Sequence, residues 1–562
     1  MSEIQKIENL WSQIYGNKGQ EELSGFIKDL ELFKKQNSVA TLEPEWYKDV
    51  TVYSLYVDLF NTDFQGLENK LDYLQNLGVS CLWLLPILDS PGRDAGFDIS
   101  NYRAVRPELL GGKSQDEVFD GFLETARSKG IKVIFDIAIN HTSDQHPWFL
   151  EAKKGKDNPY RDYYIWNKDT DKFEDARIIF YGIEESNWKK EGDEYFFHRF
   201  FDFQPDLNFR NPKVLVEMSQ NFLYWLSKGV DGFRADAIPY LWKEEGTDCE
   251  NLEMTHTIVK FFRAVIDFAR PNTLLLAEAC QKPKEVVKYF GDGDECHAGY
   301  HFPLMPQIYK ALKSESNEPI IDTLSLAVTP EIPEASQWFT FLRCHDELSL
   351  ELVYVTEDDR KYIHDNYCKQ QQWDFRKGEG IASRLAELMD NDVRKISLIY
   401  SVMLTLPGTP VVYYGDEFGK QNDVDFYNEQ IKLTGKDDTR FLVRGRIDWD
   451  EVEKEIQNPD TLSAQVYSLL SKMLKTRSEH KAFGRGSIAW QAPKVEGDAN
   501  ILMLEREYNN EKILVVQNFS DTDATVSLKD YNAKMILSNN VIVEGDNLML
   551  GAYGYFWARI SV

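Results

Sequence analysis

The chain has 562 residues, too many for one ordinary compact core, so a large domain with additions is expected. Hydrophobic residues make up 43% and aromatics 13%, enough to bury several cores, which excludes a disordered chain. With 92 acidic against 64 basic side chains the formal net charge is -28, and a nucleic-acid partner is excluded because its phosphates would be repelled.

The six cysteines (Cys81, Cys249, Cys280, Cys296, Cys344, Cys368) are scattered with no CxxC pair, which predicts free thiols in a reducing compartment rather than a disulfide framework. The first residues carry no apolar core of a signal peptide, and nowhere do apolar residues run long enough to span a bilayer. A soluble, cytoplasmic protein with no membrane partner is therefore expected; a homo-oligomer is compatible with this composition.

Residues 4–36 place apolar side chains at helical spacing (Ile7, Leu10, Trp11, Ile14, then Leu23, Phe26, Ile27, Leu30, Phe33). This predicts two amphipathic helices, and 1–45 is read as a helical extension packed on the outside of the main domain. From 46 onward strands and helices alternate. Val50-Thr-Val-Tyr-Ser-Leu-Tyr-Val-Asp-Leu59 reads as a first strand with a helix behind it over 66–77. Val79-Ser-Cys-Leu-Trp-Leu-Leu-Pro86 reads as a second strand, and Lys132-Val-Ile-Phe-Asp-Ile-Ala-Ile-Asn-His141 as a third. The segment 142–229, rich in Trp, Tyr, Phe, Lys and Asp, is then an inserted subdomain leaning over the strand ends, with a short helix from 221 leading out of it.

The next stretch, Gly229-Val-Asp-Gly-Phe-Arg-Ala-Asp-Ala-Ile-Pro-Tyr240, organises the rest. Arg234 and Asp236 fall on one side under the strand period of two, so a strand opening at its C-terminal end brings guanidinium and carboxylate to a common cleft. The positive neighbour favours the ionised carboxylate, which suits a nucleophile. One such pair reads equally well as structural, and its company decides between the two. After a helix over 252–270, Glu278 follows the apolar run Leu274-Leu-Leu-Ala277, a low-dielectric wall that raises a carboxyl pKa toward what a general acid needs. Trp338-Phe-Thr-Phe-Leu-Arg-Cys-His-Asp346 reads as the seventh strand, 349–393 as a polar insert, 392–406 as a helix and 407–417 as the eighth strand with its loop. From Ile488 the pattern changes to short alternating segments separated by turns, predicting a C-terminal antiparallel β-sandwich over 481–562. The expected fold is therefore α/β: a (β/α)8 TIM barrel formed by 46–141 and 230–480, with polar strand ends converging on one face.

Four short motifs occur in order at those strand ends: Asp136 to His141, Gly232 to Asp236, Glu278, and His345-Asp346. With them the chain resembles the α-amylase family of glycoside hydrolases and transglucosidases. Longer strings, Ile139-Asn-His-Thr-Ser-Asp-Gln-His-Pro-Trp148, Gln204-Pro-Asp-Leu-Asn208, His301-Phe-Pro-Leu-Met305 and Phe341-Leu-Arg-Cys-His-Asp-Glu-Leu348, resemble the glucosyl isomerases within it that interconvert maltose and trehalose.

The resemblance implies a retaining reaction through a covalent glucosyl–enzyme intermediate, with Asp236 as nucleophile, Glu278 as acid and then base, and Asp346 gripping ring hydroxyls. It implies that Arg234 orients Asp236, that His141 and His345 hydrogen-bond the substrate, and that Asp94 holds a hydroxyl of the innermost sugar. Phe97 stands where a stacking Tyr is usual, and Cys344 where an Asn is usual. Asp98 reads as a sugar contact or as a turn residue. Arg444 falls where related enzymes hold the glucosyl unit with an Arg. No cofactor is required. Some relatives carry a structural calcium ion on an Asn at the place of Asn140 and an Asp at that of Asp206, with the backbone oxygens of Tyr240 and Leu241 and the carboxylate of Glu245 as further ligands; an Asn/Asp hydrogen bond accounts for the same two residues. The implied partner is a small α-glucoside such as maltose or trehalose. The alternatives are an α-glucosidase or amylase-type hydrolase, an amylosucrase-like glucosyltransferase and, from another class, a non-catalytic carbohydrate-binding protein. Whether the inserts shut water out separates isomerase from hydrolase.

Overall fold

The computed structural model describes residues 2–37, 40–496 and 500–561. Two N-terminal helices, α1 (Glu3–Tyr15) and α2 (Gln20–Gln36), precede the barrel; Ser2 and Gln5 form a reciprocal capping box that starts α1. Eight strands then close into a barrel: β1 (Val52–Leu55), β2 (Cys81–Leu84), β3 (Lys132–Ala138), β4 (Gly232–Asp236), β5 (Leu274–Ala277), β6 (Ala298–Tyr300), β7 (Gln337–Phe341) and β8 (Thr409–Tyr413). All neighbours are parallel, and β1 pairs with both β2 and β8. Strands covered on both faces read as unbroken apolar runs, and Leu274–Ala277 is buried throughout. At Gly232 the strands come so close that an added Cβ would lie 2.6 Å from the Leu274 side chain. Only glycine fits there.

The N-terminal helices pack on the outside of the barrel as expected, against α4 (Glu253–Ala269). The rings of Trp11 and Phe26 lie 6.0 and 6.1 Å from that of Phe261. The helix leading into β4, α3 (Pro212–Lys228), starts well before residue 221: Asn211 caps it and Pro212 occupies its first turn, so it is a full barrel helix rather than a short exit from the subdomain. The subdomain itself carries a small antiparallel sheet (Trp166–Asn167, Glu194–Phe197, Trp188–Glu191) over its own aromatic cluster of Phe173, Trp188 and Phe197. The polar insert holds α5 (Glu357–Tyr367) and short strands, and α6 (Val393–Thr405) returns the chain to the barrel.

The C-terminal region is a seven-stranded antiparallel sheet. Its long strand Asn547–Ile560 pairs with Glu511–Asn518 through its second half and with Ala524–Ser527 through its first, so one continuous strand joins the two halves of this antiparallel region. Two buried arginines meet where this region joins the barrel, Arg506 from the sheet and Arg477 from the last barrel helix, Leu462–Glu479. Arg506 donates to the carbonyls of Thr405 (2.6 Å), Gly486 (2.8 Å) and Ser487 (3.1 Å), and Arg477 to those of Leu404 and Gly408. Together they satisfy carbonyls at the end of α6 that have no helical partner. Among the described residues all six cysteines are free, and no helix is long and apolar enough to cross a membrane.

Candidate active site

β4 ends on Asp236, and Glu278 follows β5 directly. Because Ala235 pairs with Ala277, the two carboxylates stand on neighbouring strands, whose spacing is about 4.8 Å. Ala237 then takes the left-handed conformation (φ 60°), which costs a residue with a side chain about 1–2 kcal/mol. That turn aims its N–H at Glu278 Oε2, 3.1 Å away. Arg234 is buried beneath the pair; its Nη1 bonds Asp236 Oδ1 and lies 2.8 Å from Asp136 Oδ1. Asp136 also accepts the Trp83 indole N–H at 2.8 Å, so it fixes the guanidinium rather than facing the cleft. Burial pushes the Glu278 carboxyl up to about 7, with Arg234 pulling it down and Asp236 pushing it further up. Such a group holds a proton to donate and releases it near neutrality.

Asp346, beyond the end of β7, receives Arg440 Nη1 and Arg444 Nη2 at 3.0 Å each, with His345 Nε2 at 3.2 Å. Burial opposes its ionisation, yet His345, Arg440 and Arg444 hold its carboxyl well below the usual range. Burial pushes His345 itself down to about 3, so it is the two guanidiniums that supply the charge facing Asp346. Arg444 also donates to the His345 carbonyl at 2.7 Å, which pins the motif from outside. The Phe97 ring stacks on His345 (centroids 5.6 Å apart) and is only 9% exposed, so its face is largely occupied by protein.

Asp94 and His141 meet through Gln204, whose amide nitrogen lies 2.9 Å from Asp94 Oδ2 and 3.3 Å from His141 Nε2. Burial raises the Asp94 carboxyl to about 6 against the pull of Arg440. Asp98 is a turn residue: it is fully buried and accepts from Ser90 Oγ and from the backbone N–H groups of Arg93 and Asp94. Asp94, Phe97, His141, Arg234, Asp236, Glu278, His345, Asp346 and Arg444 all line one cavity of about 130 Å³.

Comparison with known proteins bears on this arrangement. The description "Alpha amylase, catalytic domain" matches residues 33–526. The chain belongs to the α-amylase family. A relative in that family, the trehalose synthase of Pimelobacter sp. (strain R48), is 36% identical over 578 residues, covering 94% of this chain and 98% of its own. The trehalose synthase/amylase of Mycobacterium tuberculosis (strain CDC 1551 / Oshkosh) is 46% identical over 390 residues, 67% of this chain; the match spans 63% of that relative's length, under two thirds. The trehalulose synthase of Pseudomonas mesoacidophila MX-45 shares the fold, with a TM-score of 0.69 at 23% identity over 92% of this chain and 99% of that one.

The donor set does not suit the calcium expected by analogy with family members. Asn140 and Asp206 do converge, but on an ammonium: Lys243 Nζ lies 2.7 Å from Asn140 Oδ1 and 2.7 Å from Asp206 Oδ2. Glu245 is exposed and accepts the Phe173 N–H at 3.2 Å, away from them. One carboxylate and one amide beside a resident positive charge do not fit a divalent ion that takes six to eight oxygens. Among the described residues, the only group of potential metal ligands close enough to share an ion is Cys344, His345 and Asp346, whose carboxylate the two arginines already hold.

The inserts contribute residues that the sequence reading missed. Arg177, Phe180 and Phe200 reach the cavity from the subdomain, and Glu351, Phe375 and Arg376 from the polar insert. They meet over it: Arg376 donates to the Ile179 carbonyl, and Arg177 Nη1 lies 3.8 Å from Glu351 Oε2. Glu347 also faces the cavity, its carboxyl pushed up to about 7 by burial and by Asp346. Arg440, four residues before Arg444 and preceded by two aspartates, was within reach of a pattern search; the insert residues carry no local signal.

Proposed function

We propose that this α-amylase-family enzyme transfers an α-glucosyl unit with retention and interconverts maltose and trehalose. The observation that carries the reading is the meeting of the subdomain and the polar insert above Asp236 and Glu278, through Arg376 on the Ile179 carbonyl and Arg177 facing Glu351. A pocket roofed in this way keeps released glucose in and water out. The trehalose synthase relatives support the same reading.

In the proposed reaction an oxygen of Asp236 attacks the anomeric carbon while Glu278 protonates the departing glycosidic oxygen, so the C–O bond breaks and a glucosyl ester forms. Asp346, held by Arg440 and Arg444, takes the ring hydroxyls as positive charge develops on the sugar. The retained glucose turns. Its anomeric hydroxyl gives its proton to the Glu278 carboxylate as its oxygen attacks the anomeric carbon of the bound glucosyl unit, and the bond from that carbon to Asp236 breaks, releasing the carboxylate. Two displacements, retentive overall, convert an α-1,4 into an α,α-1,1 bond with no net change in atoms. The six free thiols suit a reducing compartment, in keeping with a cytoplasmic location.

Incubation with maltose, with trehalose, glucose and longer oligosaccharides resolved over time, tests this. Trehalose as the main product is expected. Glucose alone would make the protein a hydrolase, longer chains a transglucosidase with another acceptor, and binding without turnover a carbohydrate-binding protein.

A further inference from the structure

We propose that Lys243 is the resident cation of the joint behind His141, so that this chain holds its sugar-facing histidine in place without a divalent metal. Three separate segments meet there. Asn140 lies just past the end of β3, Asp206 on the stretch returning from the inserted subdomain, and Lys243 on the loop that follows β4 and Asp236. All three side chains are buried, with Asn140 and Asp206 fully inaccessible and Lys243 4% exposed. The backbone ties the same segments: Leu207 N–H donates to the Asn140 carbonyl at 2.8 Å, and His141 and Asp206 form a single antiparallel bridge.

The ammonium touches one oxygen of each neighbour at 2.7 Å, and the second Asp206 oxygen accepts the Arg199 N–H at 3.0 Å. Charge at the joint therefore balances internally: one carboxylate, one ammonium and a neutral amide. A divalent ion placed between the same oxygens would meet a positive charge at contact distance. Lys243 acts here as a positioning residue. Its link to Asn140 fixes the turn on which His141 enters the cavity, and its link to Asp206 fixes the subdomain edge against that turn. An isolated buried charge is unstable, whereas a hydrogen-bonded one compensated by an opposite charge persists. This inference rests on the joint's geometry and not on which glucoside is turned over.

Thermal unfolding of the full chain in calcium chloride and in a chelator tests it, with metal analysis of the purified protein alongside. The unmodified protein is expected to melt at the same temperature in both and to carry no stoichiometric calcium. Lys243→Glu replaces the ammonium with a carboxylate beside Asn140 and Asp206. Its melting temperature is expected to fall by several degrees in chelator and to recover as calcium is added, a rescue that a merely structural lysine would not allow. If Lys243→Glu does not fold, the unmodified protein alone decides. A melting temperature of the unmodified protein that rises with calcium, one calcium per chain on analysis, or a folded Lys243→Glu protein indifferent to calcium overturns the assignment.

Discussion

At Glu278 burial outweighs the attraction of Arg234, and the carboxyl titrates at about 7. A general acid must be protonated when substrate binds, so kcat/KM is expected to fall as pH rises through about 7, while Glu278→Gln lowers activity by about 10²–10⁴-fold below that pH and removes this fall from the profile. The same shift bears on stability. The folded pKa lies above the unfolded value of about 4.3, so the favourable contribution is complete below that value and is lost as pH climbs through about 7. Glu278→Gln should accordingly melt higher than the parent at pH 8 and close to it at pH 4, as differential scanning calorimetry would register. Asp236 and Glu278 were legible because each closes a short apolar strand and its chemistry sits at the end of a local pattern. Arg440 went unread although it stands four residues before Arg444, since its bond to Asp346 spans 94 residues and only the fold brings the two together. Lys243 was not legible either, since sequence order cannot say which side chain near a loop turns inward.

Among the elements, β4 and β5 are written plainly in the chain, and β6 is not. Ala298–Tyr300 is three residues long, too short to show a period, and only closure of the barrel reveals it. The start of α3 at Pro212 was signalled by Asn211-Pro212 but was hidden by the expectation of a longer insertion. The meeting of the two inserts depends on tertiary contacts such as Arg376 on the Ile179 carbonyl, which no local pattern announces. That contact yields a prediction. Arg376→Ala should loosen the roof and admit water, raising the ratio of glucose to trehalose made from maltose several-fold while the rate of maltose consumption changes less; chromatography of the products measures both. A product ratio unchanged from the parent would remove the roof from the account of acceptor choice.

For the whole molecule, the stability of the barrel depends on its surroundings. Arg506 supplies one hydrogen bond across the seam to the Thr405 carbonyl at the end of α6 and two within the C-terminal region, to the Gly486 and Ser487 carbonyls, each from a charged donor. Arg506→Ala leaves those carbonyls without that donor and should cost about 3 kcal/mol or more, visible as a lower denaturation midpoint and as earlier loss of the C-terminal sheet in hydrogen exchange. The closed parallel barrel and the change to a β-rich end follow from composition and periodicity; that one strand bridges both halves of the terminal sheet does not, because pairing partners are not encoded within the strand. The seat of α1 and α2 on α4 has a consequence for synthesis. The Tyr15 hydroxyl bonds the Phe209 carbonyl 194 residues further on, and Phe261, which Trp11 and Phe26 flank, is made later still. At ribosomal speeds of about 5–20 residues per second, the greasy sides of the first two helices wait on the order of ten to forty seconds for a seat, and throughout that interval the nascent chain is a client for a chaperone.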